Sequence, residues 1–279
     1  MSSADEAIRT LDTGIYAAIR SETSQDDRKS FLALQNCVRA RGEYVYLEIG
    51  SFVGGTLQPF YADDLCRLIF SIDKRPDFVP DERGRQWYHY DQQVNSTSTM
   101  LGNLSKAFPS ADSNKVRTFD CGSKDVDTGQ ITDPPELCFI DAEHTNTAVV
   151  EDFEFCLSVC HTDAIVAFHD AGIIFGGIGR IKELLRERSI PFQGLKLGGS
   201  VYAILLNGAA DKCASDLGQH TLDEALYFEK AEQELARARE EYSHFGKRRI
   251  KEHLTKLPLL FRFLRGIKRL FVRPTKRQI

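Results

Sequence analysis

The fold is decided by residues 44–56, YVYLEIGSFVGGT, in which a short apolar run leads directly into a glycine-rich turn. The spacing is E-x-G-x-x-x-G-x-T, beginning at Glu48. Glycines between a strand and a helix let the backbone approach a ligand closely, and the first helical turn supplies unpaired N–H groups. Neither the pyrophosphate motif G-x-G-x-x-G nor the Gly-Lys-Ser/Thr of a phosphate-binding loop is present here. The stretch therefore predicts a strand, a turn and a helix, with a ligand at the turn.

Similar apolar runs recur along the chain. They are RLIFSID (67–73), KVRTFD (115–120), ELCFIDA (136–142), DAIVAFHD (163–170) and VYAILLN (201–207). Helix-sized segments lie between them at 54–66, 95–107, 145–160 and 176–188. Strands that alternate with helices indicate βαβ units and a mostly parallel sheet. In this α/β class ligands bind at the carboxyl ends of the strands, and acids recur at these ends.

Asp73 ends the second of these strands, 17 residues after Thr56. An acid at this position holds the ribose hydroxyls in many nucleoside-binding sheets. A glycine-rich turn alone is often only a turn. Together with Asp73 it predicts nucleoside binding.

Four blocks in order resemble a known family. They are ExGxxxGxT at 48–56, IFSID at 69–73, FIDAEHT at 139–145 and AFHD at 167–170. In this order they are similar to class I S-adenosylmethionine-dependent methyltransferases, and within them to the metal-dependent O-methyltransferase branch with its catechol-type and bacterial sugar enzymes. The resemblance covers roughly residues 40–207. It implies a Rossmann-like, mostly parallel seven-stranded sheet with helices on both faces. We expect a helical cap at 1–42, the methyltransferase domain at 43–207 and a helical extension at 208–279.

The resemblance also implies roles for matching positions. Contacts to S-adenosylmethionine, or support of its loop, would come from Glu48, Gly50, Ser51, Gly54, Gly55, Thr56, Asp73, Asp120, Cys121 and Ser123. A divalent cation, Mg²⁺, would be ligated by Asp141 and Asp170. Many metal-dependent members have an Asn or Asp after the second aspartate, whereas this chain has Ala171.

The chemistry of methyl transfer suits these residues. Displacement at a sulfonium depends mainly on positioning, and a hydroxyl acceptor reacts well only when its proton is weakened. Mg²⁺ bound by carboxylates does this, and a histidine can act as general base. We therefore expect Asp141 and His144 to be catalytic, with His169 as the second candidate base. Structural roles stay open: either histidine could be a packing or hydrogen-bonding residue, and Asp141 or Asp170 could cap a helix or turn.

The net charge of −4, from 36 Lys+Arg and 40 Asp+Glu, hides an uneven distribution. Residues 246–279 carry twelve basic residues and one acid, Glu252, so this tail bears +11 and the rest of the chain −15. Large apolar residues recur at helical spacing at 257, 260, 261, 264, 267 and 271. Such a basic amphipathic helix is typical of segments that bind an anionic membrane surface. Packing on the acidic body or on a second subunit of a homo-oligomer stays open, and nucleic acid is the least favoured partner.

Cysteine usage and the N-terminus indicate the compartment. The seven cysteines are an odd number without a CxxC motif, which fits a reducing environment. The first twenty residues lack the apolar core of a signal peptide, and no apolar run approaches 18 residues. We expect a cytoplasmic protein, peripheral at the inner face of a membrane through its tail.

The predicted function is S-adenosylmethionine-dependent methylation of a hydroxyl group, assisted by Mg²⁺. The resemblance favours a sugar, a glycan or another small polyol as acceptor. Two alternatives stay open: an enzyme of the same fold that resembles cephalosporin hydroxylases, and a non-catalytic nucleoside-binding or assembly module.

Overall fold

The computed structural model describes residues 3–75, 78–84, 86–88 and 95–255. Its helices are α1 (Ser3–Arg9), α2 (Gln25–Arg39), α3 (Gln58–Ala62), α4 (Thr97–Ala107), α5 (Asn146–Val159), α6 (Phe175–Glu187), α7 (Ala209–Gly218) and α8 (Glu224–Thr255). Its strands are β1 (Tyr44–Ile49), β2 (Cys66–Ile72), β3 (Phe78–Pro80), β4 (Gln86–Tyr88), β5 (Val116–Phe119), β6 (Leu137–Ile140), β7 (Ile165–Phe168), β8 (Phe192–Lys196) and β9 (Tyr202–Leu206).

Seven strands form one sheet in the order β5-β2-β1-β6-β7-β9-β8. Strands β5, β2, β1, β6 and β7 run parallel, and β9 is antiparallel to both of its neighbours. Strands β3 and β4 form a separate antiparallel pair. The predicted α/β class with a mostly parallel seven-stranded sheet is confirmed.

The register of the parallel strands brings their carboxyl ends level. Ile49 of β1 pairs with Ile72 of β2 and with Ile140 of β6. Ile72 pairs with Phe119 of β5, and Ile140 pairs with Phe168 of β7. The residues that follow these five positions therefore share one edge of the sheet.

Both faces of the sheet are buried, as expected of parallel strands covered by helices. Tyr44 and Tyr46 of β1 pack in the apolar layer that includes residues of α2, α3, α4 and α7. Val45 and Leu47 pack in the opposite layer, with residues of α5 and α6. This alternation follows from the two-residue period of a strand, so β1 reads as a continuous apolar run.

The N-terminal segment is fastened to the glycine-rich turn through Gln58, which is completely buried. The amide of Gln58 donates to the carbonyls of Tyr16, Ile19 and Gly55, and accepts from the N–H of Ile19. A buried amide with all of these partners is costly to remove, because each partner would lose its hydrogen bond. Residues 16–20 are thereby held against the start of α3.

Several elements differ from the sequence-based expectations, and β3, β4 and α7 were not predicted. Strand β8 was not predicted, because Gly194 interrupts its apolar pattern. The fold requires glycine at this position, since a Cβ there would lie 2.0 Å from the hydroxyl oxygen of Tyr202. The helix expected at 54–66 is confined to Gln58–Ala62, because β2 already begins at Cys66. Helix α8 continues through Gly246, the first residue of the predicted basic tail. One glycine costs a helix only about 1 kcal/mol, and the residues that follow it, Lys247, Arg248 and Arg249, are good helix formers.

The predicted amphipathic helix of the basic tail falls mostly outside the described residues, which end at Thr255. Its attachment to a membrane, to the body or to a second subunit stays a prediction. Within the part of the chain that the structure describes, no helix is long and apolar enough to cross a membrane.

Candidate active site

A cavity of about 1100 Å³ opens along the carboxyl edge of the sheet. It is lined by most of the predicted site residues: Gly50, Ser51, Gly55, Thr56, Asp73, Cys121, Ser123, Asp141, His144, His169 and Asp170. The level strand ends explain this gathering, since each of these residues lies in or just beyond the loop that follows a parallel strand. Arg20, Ser21 and Glu22 form a further part of the wall.

The glycine-rich turn is close-packed against its neighbours. Gly50 has φ +97°, and a Cβ there would lie 2.2 Å from the carbonyl oxygen of Asp141. A Cβ on Gly55 would lie 2.2 Å from the carbonyl oxygen of Arg20. Gly54 has φ +89° and lies against Met100. Only glycine fits at these places, so the turn keeps its backbone near the cavity.

Glu48 lies beneath this turn and is completely buried. Its carboxylate accepts hydrogen bonds from the hydroxyls of Tyr46 at 2.6 Å and Thr56 at 2.7 Å. Burial raises the pKa of Glu48 to about 8, although these hydrogen bonds act in the opposite direction. Glu48 thus ties the start of the turn to its end, which matches the supporting role that the resemblance implied.

Asp73 lies at the end of β2 and fixes two backbone segments. Its Oδ2 accepts from the N–H of Phe52, and its Oδ1 accepts from the N–H of Arg75, both at 2.8 Å. The Arg75 guanidinium lies 3.4 Å from the same carboxylate. A carboxylate has about four acceptor positions, so Asp73 retains acceptor capacity for a diol in the cavity.

Unlike most of the predicted cofactor residues, Asp120 is not among the residues that line the cavity. Its side chain is 60% exposed, accepts a hydrogen bond from Thr97 and lies 3.6 Å from Nε of Arg75. Cys121 and Ser123, directly after it, line the cavity. The loop after β5 therefore faces the cavity through Cys121 and Ser123, while the carboxylate of Asp120 is held by Arg75 and Thr97.

The candidate catalytic residues form one row of alternating carboxylates and imidazoles. His169 Nδ1 lies 3.0 Å from Asp141 Oδ1, and its Nε2 lies 3.4 Å from Asp27 Oδ2. His144 Nε2 lies 3.6 Å from the same Asp141 oxygen and 3.4 Å from Asp170 Oδ2. The order is Asp27, His169, Asp141, His144, Asp170. His169 therefore has a carboxylate at each nitrogen, whereas Asp141 and Asp170 both approach Nε2 of His144.

The pKa values in this row reflect these contacts. Burial alone would lower the pKa of both histidines, but Asp141 and its neighbouring acids outweigh burial and raise the pKa of His144 and His169. In turn, the two imidazoles overcome burial and lower the pKa of Asp141 to about 2. Asp27 has a lowered pKa for the same reason, helped by hydrogen bonds from Ser24. The row favours charged imidazoles between charged carboxylates.

The arrangement of this row does not fit the predicted Mg²⁺ ion. The imidazole nitrogen of His144 lies between the carboxylates of Asp141 and Asp170, which would both have to contact the ion. Mg²⁺ requires near-octahedral oxygen ligands at about 2.1 Å. Across the described ranges, no group of three or more His, Cys, Asp or Glu side chains is arranged to hold a metal. Metal dependence stays a prediction.

The loop that carries His144 is held by the β3–β4 connection and by α8. Glu82 donates its N–H to the carbonyl of His144 and accepts from the N–H of Asn146, the first residue of α5, at 2.8 Å. Arg239 of α8 donates to both the carbonyl and the carboxylate of Glu82. Thr145, and not Asp141, caps α5, because the side chain of Thr145 accepts a hydrogen bond from the N–H of Ala148.

Sequence reasoning missed Asp27, Glu82 and Asp152 as residues at this site. Asp27 follows Ser24 at the spacing of a capping box, which predicts a helix start but not a contact with His169. Its partners Ser200 and His169 are brought to it only by folding. Asp152 is a buried acid on α5 that lines the cavity beside Ser123, and its helical position gave no sign of this.

Comparison with known proteins supports the resemblance. Residues 47–171 match a family described as a methyltransferase domain, and no curated protein matches the chain. The O-methyltransferase NovP shares 14% identity with a TM-score of 0.51, over 72% of this chain and 97% of that one. The O-methyltransferase TomG from Streptomyces achromogenes, in complex with S-adenosylmethionine, shares 17% with a TM-score of 0.47, over 74% and 88%.

Structural likeness at these identities shows the fold only. The family match covers the segment from β1 to Ala171, which contains the glycine-rich turn, Asp73 and the row from Asp141 to Asp170. The family match supports the predicted methyltransferase domain over residues 47–171, and the S-adenosylmethionine cofactor stays a prediction. Residues 47–171 are thus similar to a methyltransferase domain, on a fold that the O-methyltransferase NovP shares.

Proposed function

We propose that this enzyme transfers a methyl group from S-adenosylmethionine to a hydroxyl oxygen of a small polyol, such as a sugar or a glycan end. The observation that carries the proposal is the position of His144 on the cavity, between the carboxylates of Asp141 and Asp170. A base held in this way suits an acceptor whose proton must be removed. NovP, a protein of the same fold, is an O-methyltransferase.

The cofactor would lie along the strand ends from the turn after β1 to the loop after β5. The turn at Gly50–Thr56 would hold its methionine part, Asp73 its ribose hydroxyls, and Cys121 with Ser123 its adenine. The sulfonium would then lie near the turn after β1, beside the loop that carries Asp141 and His144. This order follows the strand order β5-β2-β1-β6.

In the reaction the S–CH₃ bond breaks as the O–CH₃ bond forms, and S-adenosylhomocysteine leaves. The hydroxyl proton would pass to His144 in the molecules whose imidazole is neutral, and Asp141 and Asp170 would stabilise the imidazolium that forms. Because these acids raise the pKa of His144, the rate should rise with pH. Asp141 would also hold the imidazole in place, since its carboxylate is fixed on the other side by His169. His169 is more deeply buried than His144 and has a carboxylate at each nitrogen. We therefore assign it the role of orienting Asp141.

The proposal is tested by measuring S-adenosylhomocysteine release with a panel of sugars, polyols and catechol. We expect His144→Asn to lower kcat by about 100-fold or more, the usual contribution of a general base, while cofactor binding in calorimetry is unchanged. His161→Asn is the matched control, because His161 is exposed and follows α5 at its far end. Full activity of His144→Asn on the accepted substrate would refute the assigned base.

The predicted Mg²⁺ dependence is tested in the same assay. Rates are compared after EDTA treatment and after addition of Mg²⁺ to the treated enzyme. Recovery on adding Mg²⁺ would support the metal prediction and require the side chains of His144 and Asp141 to rearrange. Equal rates in all arms would leave acid–base catalysis by the His144 row as the mechanism.

A further inference from the structure

Lys196 ends β8 with a buried ammonium group to which the proposed mechanism gives no role. The residue is 1% exposed, and its ammonium donates hydrogen bonds to the carbonyls of Leu197 and Gly199, the second at 2.8 Å. Its Nζ also lies 4.1 Å from the ring centre of Tyr227 on α8. Both hydrogen bonds go to carbonyl oxygens and not to a carboxylate. Burying a charge in this way is costly, so packing alone does not explain a lysine at this position.

The 197–200 loop, which follows Lys196, contacts both ends of the charged row through Ser200. The N–H of Ser200 donates to Asp27 Oδ1 at 2.6 Å, and its hydroxyl donates to the same oxygen at 3.1 Å. The hydroxyl oxygen also accepts from the N–H of Asp170 at 3.3 Å, and the carbonyl of Ser200 accepts from the N–H of Ala171 at 2.9 Å. Asp27 and Asp170 are the first and last carboxylates of the row.

The backbone of Asp170 depends on these contacts. Asp170 has φ +50°, in the left-handed region that residues other than glycine rarely adopt. Such a conformation persists only where the surrounding structure holds it. Ser200 bonds to the peptide N–H groups on both sides of this position. The place of the Asp170 carboxylate beside His144 therefore depends on where the 197–200 loop lies.

Helix α2 contacts the same loop. The hydroxyl of Ser30 donates to the carbonyl of Gly198 at 3.1 Å. Gly199 has φ +66°, and a Cβ there would lie 2.2 Å from Asp27 Oδ1. The loop is thus packed against the carboxylate that it holds, and a small shift of its backbone would move Asp27.

We propose that Lys196 is a positioning residue for methyl transfer: its ammonium fixes the 197–200 loop and so keeps Asp27 and Asp170 in place at the two ends of the charged row. The inference rests on the proposed function. It adds a residue that lies outside the cavity lining and outside the matched segment 47–171.

The first test is Lys196→Met, which keeps a long apolar side chain and removes the ammonium. With the best acceptor from the panel, kcat should fall about tenfold or more, because small displacements of catalytic groups have effects of up to about 100-fold. The KM for the acceptor and the affinity for S-adenosylhomocysteine in calorimetry should stay unchanged. A lowered urea midpoint with unchanged kcat would show a purely structural lysine and overturn the inference.

The second readout is the pH dependence of this effect. Burial lowers the pKa of Lys196 to about 8, although Asp27 on α2 acts in the opposite direction. The other titratable groups packed against it are Tyr227 on α8, whose pKa is raised to about 12, and Tyr202 on β9, whose pKa is also raised by burial. Both tyrosines stay protonated while the ammonium is lost between pH 7 and pH 9.

The ratio of the wild-type kcat to that of Lys196→Met should therefore fall toward one over this range. Taking the ratio removes the titration of groups that both proteins share. A ratio that does not change with pH would overturn the role of the ammonium.

Amide hydrogen exchange tests the loop without a substrate. In Lys196→Met, exchange at the amides of Asp170, Ala171 and Ser200 should become about tenfold faster, the effect of weakening one hydrogen bond. Lys182→Met is the matched control, because the Lys182 ammonium lies over the ring of Tyr202 and pairs with Glu224 instead. It should leave kcat and these amides unchanged.

Ser200→Ala keeps the test decisive if Lys196→Met does not fold. It removes the hydroxyl contacts with Asp27 and Asp170, and it should lower kcat in the same way. Unchanged kcat in this variant, or equal effects in Lys182→Met and Lys196→Met, would overturn the inference while methyl transfer stands. A wild type that methylates nothing in the panel would overturn the proposed function instead, and the exchange comparison would still decide whether Lys196 fixes the loop.

Discussion

Asp27 faces His169 across 3.4 Å, measured from its carboxylate Oδ2 to the imidazole Nε2. The two residues come from different parts of the chain: Asp27 belongs to α2, outside the matched methyltransferase segment, and His169 follows β7. Asp27 is also held by the N–H and hydroxyl of Ser200, which precedes β9. Helix α2 therefore supplies the carboxylate at one end of the row.

Replacing Asp27 by Asn should change the protonation of His169. The variant removes the negative charge opposite Nε2 while the amide oxygen can still accept from Ser24, so the raised pKa of His169 should fall. The change is measured by following the imidazole nitrogen signals of His169 by NMR against pH. Ser24→Ala is the control: it weakens the helix cap by about 1 kcal/mol and leaves the charge of Asp27. An unchanged His169 titration in Asp27→Asn would contradict the pairing.

Gly50→Ala should be far more harmful than Gly42→Ala. Both glycines have positive φ, +97° and +110°, but a Cβ on Gly42 meets nothing within 4 Å, whereas one on Gly50 would lie 2.2 Å from a backbone oxygen. Gly42→Ala should therefore show only the backbone strain, about 1–2 kcal/mol. Gly50→Ala should lose several kcal/mol more, or fail to fold, and lose S-adenosylhomocysteine binding. Urea unfolding and calorimetry measure both, and equal losses would contradict the close packing of the turn.

Glu48 should make stability fall as the pH rises. Its ordinary pKa of 4.5 applies to the unfolded chain, and burial raises the folded value to about 8. Between these values the folded protein keeps a proton that the unfolded chain has lost, so the contribution is fully present below pH 4.5 and is lost through pH 8.

The test compares the wild type with Glu48→Gln in urea between pH 5 and pH 9. The wild type should lose on the order of a few kcal/mol more than the variant over this range, because glutamine does not titrate. The hydrogen bonds from Tyr46 and Thr56 are disturbed equally at both pH values, so they do not affect the difference. Parallel pH profiles would show that Glu48 is ionised in the folded protein.

Glu82→Ala should loosen the loop that carries His144 more than it lowers global stability. The variant removes the acceptor for the N–H of Asn146 and the carboxylate partner of Arg239. An exposed ion pair such as Arg239–Glu82 contributes only about 0–1 kcal/mol, so the free energy of unfolding should change little. Hydrogen exchange should become faster at the amides of residues 143–147. Arg180→Ala, which breaks an exposed pair with Glu187 on α6, should leave those amides unchanged.

The sequence predicted the parts of the fold that depend on local pattern. The buried strands were visible because each is an apolar run followed within two residues by Gly, Asp or Asn, and the end of β1 could be placed within one residue. Strand β8 escaped because it is only half-buried and contains Gly194. The sequence did not predict that α3 is so short. Residues 52–57 form turns instead of a helix, and Gln58 ties the end of these turns to residues 16–19, a contact that exists only in the folded chain.

For the same reason, the sequence predicted some residues of the candidate site and missed others. Asp73, Asp141 and His169 directly follow strands, so strand topology alone places them at one edge. Asp27 and Asp152 lie within helices, and their contacts with His169 and Ser123 depend on how those helices pack. The position of the Asp120 side chain also depends on packing, since its carboxylate lies beside Arg75 and Thr97.

The fastening of residues 16–20 by Gln58 has a consequence for how substrate choice can change in this enzyme. Arg20, Ser21 and Glu22 form a wall of the cavity but lie before β1, outside the segment that carries the methyl-transfer machinery. This wall and the proposed methyl-transfer residues are thus encoded in separate stretches of the gene. The first stretch can be exchanged for one with other side chains at 20–22, provided that the main-chain contacts to Gln58 are kept. The N-terminal wall is accordingly the place to begin when redirecting the enzyme to a new acceptor.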